Sequence, residues 1–268
     1  MARVSLVQPR PSPKMDVIFD ALEKGWPNSA RNITTAEFYI LWGLIGNNEA
    51  IMNANRANSH RFAFVDMPYF NRWLPGQDLN NSWWRFCIGG VHDRSKLNVT
   101  IDRFETFNRK VSPWRSGGEH ILICPSSETM TRYMHNMSVE SWCDIVFQEI
   151  RKQTNRPIKI RLKPRKNGTS GPAAADVSIE DDLKNCHALV TSGSLSAVDA
   201  LMLGVPVFTT SIKHCPTAWC SNTDFSKMEE PVLFDRELLL ANLAWKQYTI
   251  DEMKSGFCYE SVHRLHYH

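Results

Sequence analysis

The fold is decided by the stretch Ala188-Leu-Val-Thr-Ser-Gly-Ser-Leu-Ser-Ala-Val-Asp-Ala-Leu-Met-Leu-Gly-Val-Pro-Val-Phe208. Its apolar beginning predicts a buried strand over Ala188–Thr191, and the residues after the turn predict a helix over Leu195–Leu203. Gly204 and Pro206 predict the end of that helix and the start of a new strand. A strand, a tight turn, a helix and a second strand are together typical of a parallel α/β sheet.

The turn in this stretch has the composition of an anion-binding site. Small hydroxyl residues and glycine let a backbone approach an anion closely, and the first amides of a new helix are unpaired there. Parallel α/β sheets bind ligands at the carboxyl ends of their strands, where this turn falls. The same residue types also cap helices, so both interpretations stay open here. The candidate binding residues are Ser192, Gly193, Ser194 and Ser196, with Asp199 one helical turn further along, within reach of a ribose hydroxyl.

The same alternation of strands and helices extends outward through both halves of the chain. Strands are predicted at Arg3–Val7, Phe38–Leu41, Arg61–Val65, Trp84–Ile88, His120–Cys124, Ile158–Leu162 and Val205–Thr209. Helices are predicted at Lys14–Trp26, Glu49–Asn58, Ser138–Thr154, Ile179–Cys186 and, as a C-terminal tail, Glu237–Met253. The Pro- and Gly-containing stretch Val111–Gly118 predicts a linker. We therefore predict two tandem Rossmann-like lobes with parallel sheets and a cleft between them, residues 1–112 and 113–268.

A second group of candidate residues is basic. Lys159, Arg161 and Lys163 alternate with apolar residues, so a strand would present all three cations on one face. A strand buried on both faces would be apolar throughout. The cations therefore predict either an anionic ligand or an edge strand that lysine protects against aggregation. Ser126, in the strand-end turn Cys124-Pro-Ser-Ser127, is a candidate for a second wall of the same site.

The deciding stretch resembles the donor-binding element of GT-B-type glycosyltransferases. In those enzymes a Ser/Gly turn and a helix carrying Glu-Ala precede Gly-x-Pro-Val, and Asp199-Ala200 stands here at the Glu-Ala position. The resemblance extends from about Gly118 to Gly256, and the tail Leu243–Gly256 is similar to that of glycosyltransferase-like proteins of tailed phages. The resemblance implies a compact GT-B-like enzyme that uses a nucleotide sugar, and the first candidate for this donor is a UDP-sugar. It also implies that Lys163, and next Arg161, face the donor diphosphate.

A transfer reaction needs a base, because the acceptor hydroxyl must lose a proton. Asp66 and His92, which follow predicted strands of the first lobe, are the candidates. Gly43, Gly46 and Asn47 form another strand-end loop that could approach a sugar or phosphate on the acceptor side. The phage context suggests hydroxymethylated bases of DNA as acceptor and host cytoplasm as location, and cell-surface polysaccharide or a small molecule stays open as the acceptor. The alternatives are a sugar-nucleotide epimerase and a non-catalytic nucleotide-binding or interaction module on the same scaffold.

Composition narrows the class further. The net charge of +3 and the pI near 8.5 are too mild to indicate a dedicated nucleic-acid-binding protein. No apolar run approaches the roughly 20 residues of a membrane span, and Met1–Pro13 lacks the pattern of a signal peptide. The seven scattered cysteines indicate reduced thiols in a cytoplasmic protein. The sequence His214-Cys215 with Cys220 lacks a second pair of Cys or His residues at a zinc-ligand spacing, so no metal site is predicted. Cations and backbone amides would instead stabilise the departing nucleotide diphosphate.

Overall fold

A computed structural model describes residues 3–74, 76–163 and 178–267. Their strands are β1 (Val4–Val7), β2 (Ser29–Arg31), β3 (Phe38–Trp42), β4 (Phe62–Asp66), β5 (Trp83–Ile88), β6 (His120–Ile123), β7 (Ile158–Ile160), β8 (Cys186–Thr191), β9 (Val207–Thr209), β10 (Ser221–Asn222) and β11 (Gln247–Thr249). Their α-helices are α1 (Pro13–Gly25), α2 (Asn48–Ala54), α3 (Asp102–Glu105), α4 (Glu128–His135), α5 (Val139–Arg151), α6 (Ile179–Asp182), α7 (Ser196–Met202), α8 (Glu237–Ala244), α9 (Ile250–Lys254) and α10 (Phe257–His266). Short 3-10 turns occupy Arg56–Arg61, Leu79–Asn81, Ala218–Cys220 and Phe225–Lys227.

The chain forms two compact units, each with its own sheet. Unit 1 comprises Met1–Asn108 and Leu240–His268, and unit 2 comprises Arg109–Leu239. The predicted α/β class with two sheets dominated by parallel pairs is confirmed. The division of the chain differs from the predicted one, because the segment after Leu240 belongs to unit 1. There β11 pairs with β5, and α9 packs against α1.

The sheet of unit 1 has the order β11-β5-β4-β3-β1-β2. Strands β1 to β4 are parallel, whereas β5 runs antiparallel to β4, and β11 antiparallel to β5. Helix α1 covers one face because its apolar residues recur at helical spacing, and Ile18, Phe19 and Leu22 are fully buried there. The α/β alternation predicted β5 as a strand but not its antiparallel direction, and it predicted neither β2 nor β11.

The sheet of unit 2 has the order β10-β9-β8-β6-β7, and every pair in it is parallel. All six residues of the central strand β8 are buried, as its apolar sequence predicts. Helix α5 begins at the cap Ser138, whose side chain accepts a hydrogen bond from the Ser141 amide, and it buries Trp142 and Val146 against the sheet. This sheet carries the stretch that decides the fold.

Two predicted segments have a different structure. The C-terminal tail is not one helix, because β11 interrupts it and Tyr248, 1% exposed, enters the core of unit 1. Helix α9 then starts anew with a capping box between Thr249 and Glu252. The predicted linker Val111–Gly118 is part of unit 2, where the Ser112 amide donates to the Met202 carbonyl at the end of α7 (2.8 Å).

Two further observations on the described residues concern the cysteines and the length of the apolar helices. All seven cysteines are buried free thiols. Among the described helices, none combines the length and the apolar composition that a bilayer span needs.

Candidate functional site

The turn between β8 and α7 is built from hydroxyl groups that bond one another. The Thr191 hydroxyl donates to the Cys124 carbonyl of the neighbouring strand (2.6 Å) and accepts from the Ser194 amide (3.1 Å). The Ser196 hydroxyl donates to the Ser194 hydroxyl (2.9 Å). The turn is therefore fixed before any ligand arrives, which is the property that a binding loop needs.

Two buried hydroxyls at this edge have no hydrogen-bond partner among the described protein atoms. Ser192 is fully buried and Ser126 is 6% exposed, and the side-chain oxygen of each is unpaired. Ser192 follows β8 and Ser126 follows β6, and these strands are neighbours, since the Cys124 amide donates to the Val190 carbonyl. Buried hydroxyls are nearly always paired, so two exceptions at adjacent strand ends indicate a place for a polar ligand.

Gly193 allows the backbone to pass where no side chain fits. A Cβ atom there would lie 2.7 Å from the His214 carbonyl oxygen and 3.1 Å from the Met134 sulfur. Met134 lies on α4, a helix that the sequence analysis did not predict and that packs onto this turn. The glycine is therefore required by close approach and not by an unusual backbone angle.

The predicted residue Asp199 lies in the first turn of α7 and is half-buried. Burial raises the pKa of the neighbouring Cys124 thiol to about 12, against the opposing effects of a hydrogen bond with Ser196 and of the Arg161 charge. The charges of Asp182 and Asp199 raise the same pKa further. Arg161, Asp199 and Ser196 therefore all influence the pKa of one buried thiol.

The basic strand is an edge strand, as the second of the two interpretations predicted. β7 ends the sheet of unit 2, and Lys159 and Lys163 are exposed. Arg161 is committed to an ion pair with Asp182 of α6, with side chains 17% and 24% exposed. Arg161 is therefore already paired with a carboxylate, whereas Lys159 and Lys163 are exposed, and the part of these cations in binding a ligand stays a prediction. Arg165 and Lys166, the next two basic residues along the chain, are expected from the sequence to extend this group but lie outside the described residues.

Helix α4 ends in a half-buried histidine, His135, that makes unit 2 sensitive to acid. The His135 Nε2 atom is buried and has no hydrogen-bond partner within the described part of the chain, and burial lowers the pKa of the imidazole. The pKa of this imidazole is lower in the folded protein than in the unfolded chain, where it is near 6.5. The neutral imidazole therefore contributes fully to stability above about pH 6.5, and this contribution is lost as the pH falls through the folded-state pKa. We expect the melting temperature of the wild type to fall more steeply between pH 7.5 and 5 than that of His135→Phe. Equal slopes of melting temperature against pH would contradict this assignment.

In unit 1, Asp66 ends β4 at the carboxyl edge of the sheet. Its Oδ2 atom accepts from Arg85 Nη2 (3.1 Å) and its Oδ1 atom accepts from the Met67 amide (2.7 Å), while 30% of the side chain stays exposed. Gly43 lies beside it, because the Gly43 amide donates to the Val65 carbonyl (3.1 Å). A Cβ atom at Gly43 would meet nothing within 4 Å. Asp66 is therefore a fixed carboxylate next to open space.

His92 does not share this position. It is 6% exposed, and its Nδ1 atom lies 3.2 Å from the Tyr69 hydroxyl, which also lies 3.3 Å from the Cys87 sulfur. Burial raises the pKa values of both Tyr69 and Cys87, so these groups stay protonated. Within unit 1 the structure thus separates the two candidate bases: Asp66 is accessible and His92 lies in a buried polar network.

The remaining acceptor-side candidates form the loop after β3. Gly43 and Gly46 both have φ of 56°, the left-handed region that favours glycine. Asn47 is exposed and its side chain caps nothing, whereas the next residue, Asn48, is buried and donates to the carbonyls of Trp42 (2.9 Å) and Gly43 (3.0 Å). Asn48 is thus the residue that shapes the loop, and Asn47 is free to face a ligand.

Sequence reasoning missed Arg85, the ion-pair partner of Asp66. The available signal was a single cation inside the apolar run Trp83-Trp-Arg-Phe-Cys-Ile88. A buried cation in a strand needs a carboxylate partner, but the sequence does not show which one the sheet register supplies.

Unit 2 also has a surface cavity of about 640 Å³ far from the serine turn. Its lining includes Glu119, which precedes β6, and Pro157, which precedes β7. It therefore lies at the amino ends of the strands, at the opposite edge from Ser192. Two of its charged lining residues, Arg156 and Glu229, pair with each other. Among the described residues, no group of three or more His, Cys, Asp or Glu side chains could hold a metal ion.

Comparison with known proteins identifies the fold. No protein-family model matches the chain, and no curated protein matches it in sequence. Among solved structures it is similar to the beta Kdo 2,4 transferase of KpsC from Thermosulfurimonas dismutans, with a TM-score of 0.52 and 12% identity over 91% of either chain. It is also similar to the beta Kdo 2,7 transferase of the same protein, with a TM-score of 0.52 and 10% identity over 96% of this chain and 99% of that one. The chain therefore has a glycosyltransferase-type α/β fold.

Proposed function

We propose that this protein transfers a sugar from a nucleotide-activated donor to an acceptor hydroxyl. The observation that carries the proposal is the pair of unpaired buried hydroxyls, Ser192 and Ser126, at adjacent strand ends of an all-parallel sheet. The similarity to two transferase structures supports the scaffold but not the reaction.

Unit 2 would bind the donor. Ser192 and Ser126 would donate to phosphate oxygens, and the tight passage at Gly193 would bring backbone amides to the same group. Asp199 would accept from a ribose hydroxyl. Ser194, Ser196 and Lys163 would complete the phosphate contacts, with Arg161 acting through its charge because Asp182 already holds it.

Unit 1 would supply the base, for which the geometry favours Asp66 over His92. The Asp66 carboxylate would take the proton of the acceptor hydroxyl, and the oxygen of that hydroxyl would bond to the anomeric carbon of the donor. The bond from that carbon to the phosphate oxygen breaks, and the electron pair leaves with the nucleotide. Hydroxyl, amide and cationic groups of unit 2 would stabilise the leaving group, so we propose a reaction that persists in EDTA.

Donor and acceptor are the finer parts of this proposal. A UDP-sugar is the donor that the sequence resemblance implies, whereas the two structural neighbours are named for transfer of Kdo. The panel of candidate donors should therefore contain UDP-sugars and an activated form of Kdo. Hydroxymethylated DNA stays a proposed acceptor; its binding should weaken steeply with salt, since phosphate contacts release counterions. A changed sugar formed from donor alone would instead indicate the epimerase.

The test is thermal stabilisation by nucleotides and nucleotide sugars, with serine variants. A ligand at 100 times its Kd should stabilise the wild type by about 2.7 kcal/mol. Ser192→Ala and Ser126→Ala should leave the free protein equally stable or slightly more stable, because each removes an unpaired buried hydroxyl. Both variants should lose most of the stabilisation that the ligand gives the wild type.

Ser221→Ala is the matched control. This serine is also buried, but its hydroxyl donates to the Thr217 carbonyl (2.8 Å) and pairs with the Thr217 hydroxyl (2.9 Å). The variant should lose about 1 kcal/mol of stability and keep the ligand-induced shift. No shift of the wild type with any nucleotide would overturn the proposed function and favour an interaction module.

A further inference from the structure

Three strands of unit 1 place polar side chains in one row. Asp66 of β4 lies directly opposite Arg85 of β5, and Arg85 lies directly opposite Gln247 of β11. Directly opposed residues on neighbouring strands project to the same face with Cβ atoms roughly 5 Å apart. The carboxylate, the guanidinium and the amide therefore form one continuous row, which begins at the open space beside Gly43.

Arg85 is the buried centre of this row. The residue is 3% exposed, and its guanidinium lies 5.7 Å from the ring of Phe64 and 5.9 Å from the ring of Tyr69. Its Nη2 atom donates to Asp66 Oδ2, which is the carboxylate oxygen not bonded to the Met67 amide. The bonds from Arg85 and from the Met67 amide together hold the two carboxylate oxygens in one orientation, while 30% of the Asp66 side chain stays exposed.

Gln247 fixes the loop that follows Asp66 from the far end of the row. Its side chain is fully buried, and its Oε1 atom accepts from the amides of Tyr69 (2.8 Å) and Phe70 (3.0 Å). Its Nε2 atom donates to the Phe70 carbonyl (3.3 Å). The ring of Tyr69 that borders Arg85 is thereby fixed in place as well.

We infer that Arg85 is a positioning residue for Asp66, holding its carboxylate at the open edge of β4 in the orientation that takes a proton from the acceptor. The inference rests on the proposed function. It assigns a purpose to a buried cation that no packing requirement explains, because an apolar side chain of similar length would fill the same space between Phe64 and Tyr69.

The test follows release of nucleotide from UDP-glucose and the other nucleotide sugars of the stabilisation panel, with water as acceptor. Asp66→Asn should lower kcat by about 100-fold, as loss of a general base does. Arg85→Met should lower kcat by at least about 10-fold, because small misplacements of a catalytic group have effects of that order. KM for the donor should change less than about threefold, since the proposed donor residues lie in unit 2. Arg85→Lys, which keeps the charge, should recover part of the loss.

A double variant and a control separate positioning from stability. In the Asp66→Asn background, Arg85→Met should cost no further activity, because the group that it positions is gone. Arg31→Lys changes another ion-paired arginine of unit 1, bonded to Asp16 at the opposite edge of the sheet from β11, and should keep kcat at temperatures where it is folded. Should Arg85→Met fail to fold, Arg85→Lys and Arg85→Gln carry the same comparison.

The outcomes distinguish the two proposals. If the wild type releases nucleotide from no donor, the proposed function falls and this inference falls with it. If the wild type is active and folded Arg85 variants keep kcat within twofold, the positioning role is overturned while the proposed function stands. A crystal structure of an Arg85 variant should show the Asp66 carboxylate turned away from its present orientation, and an unmoved carboxylate would also overturn the inference.

Discussion

Gly204→Ala should lower the free energy of unfolding of unit 2 by at least about 3 kcal/mol. Gly204 follows α7 with φ of 74°, a backbone angle that side chains rarely adopt. A Cβ atom there would overlap the Pro113 carbonyl oxygen and lie 2.9 Å from its carbon. Backbone strain and overpacking each cost about 1–3 kcal/mol, and here they act together. The clashing atoms are backbone, so no side-chain rotation relieves them.

Urea denaturation measures this loss, and Gly117→Ala is its control. Gly117 lies in the segment Val111–Gly118, which also contains Pro113. Its φ is not positive, and a Cβ atom there would meet nothing within 4 Å. That variant should stay within about 0.5 kcal/mol of the wild type. This segment is held against the end of α7 and the residues that follow it by the bonds from the Ser112 amide to the Met202 carbonyl (2.8 Å) and from the Arg115 amide to the Gly204 carbonyl (2.9 Å). Loss of less than 1 kcal/mol in Gly204→Ala would show that Pro113 can move aside.

The sequence predicts those parts of the fold that are strongly apolar and locally periodic. The strand that became β8 and the helix that became α5 could be predicted because burial on two faces or on one stripe leaves a clear pattern. The short strand β2, Ser-Ala-Arg, has no such pattern, and β11, Gln-Tyr-Thr, lies inside an apolar helical periodicity. Both form because a neighbouring strand supplies the hydrogen bonds, which is a tertiary effect.

The candidate site shows the same limit. Ser192 and Gly193 could be predicted to share a turn, because residue types and chain neighbourhood suffice for that. The pairing of Asp66 with Arg85 depends on an antiparallel register, and that of Arg161 with Asp182 on the packing of α6 beside an edge strand. A shift of one residue in register would send each side chain to the opposite face. Spacing along the chain therefore identifies candidate groups but not their partners.

Arg103→Met should lower the free energy of unfolding of unit 1 by about 3 kcal/mol, the order expected when one partner of a buried ion pair is removed. Arg103 is held by Glu252 through two parallel bonds of 2.8 Å, with side chains 10% and 24% exposed. It also donates to the carbonyls of Ala244 and Gln247, each at 3.0 Å. Methionine would leave these acceptors unpaired, so the segment Leu240–His268 should open first.

Limited proteolysis with mass spectrometry, alongside urea denaturation, should show new cleavage within Leu240–His268 under conditions that leave the wild type intact. Arg264→Met is the control, because Arg264 lies over the same Trp245 ring as Arg103 (5.5 Å and 5.1 Å) but is exposed. It should change stability by no more than about 0.5 kcal/mol. Cleavage elsewhere, with this segment protected, would contradict the assignment.

The segment Leu240–His268 also contains Gln247, which holds the loop after Asp66. Opening of this segment would therefore release the proposed base, and the stability of the tail and the activity should fall together in Arg103→Met.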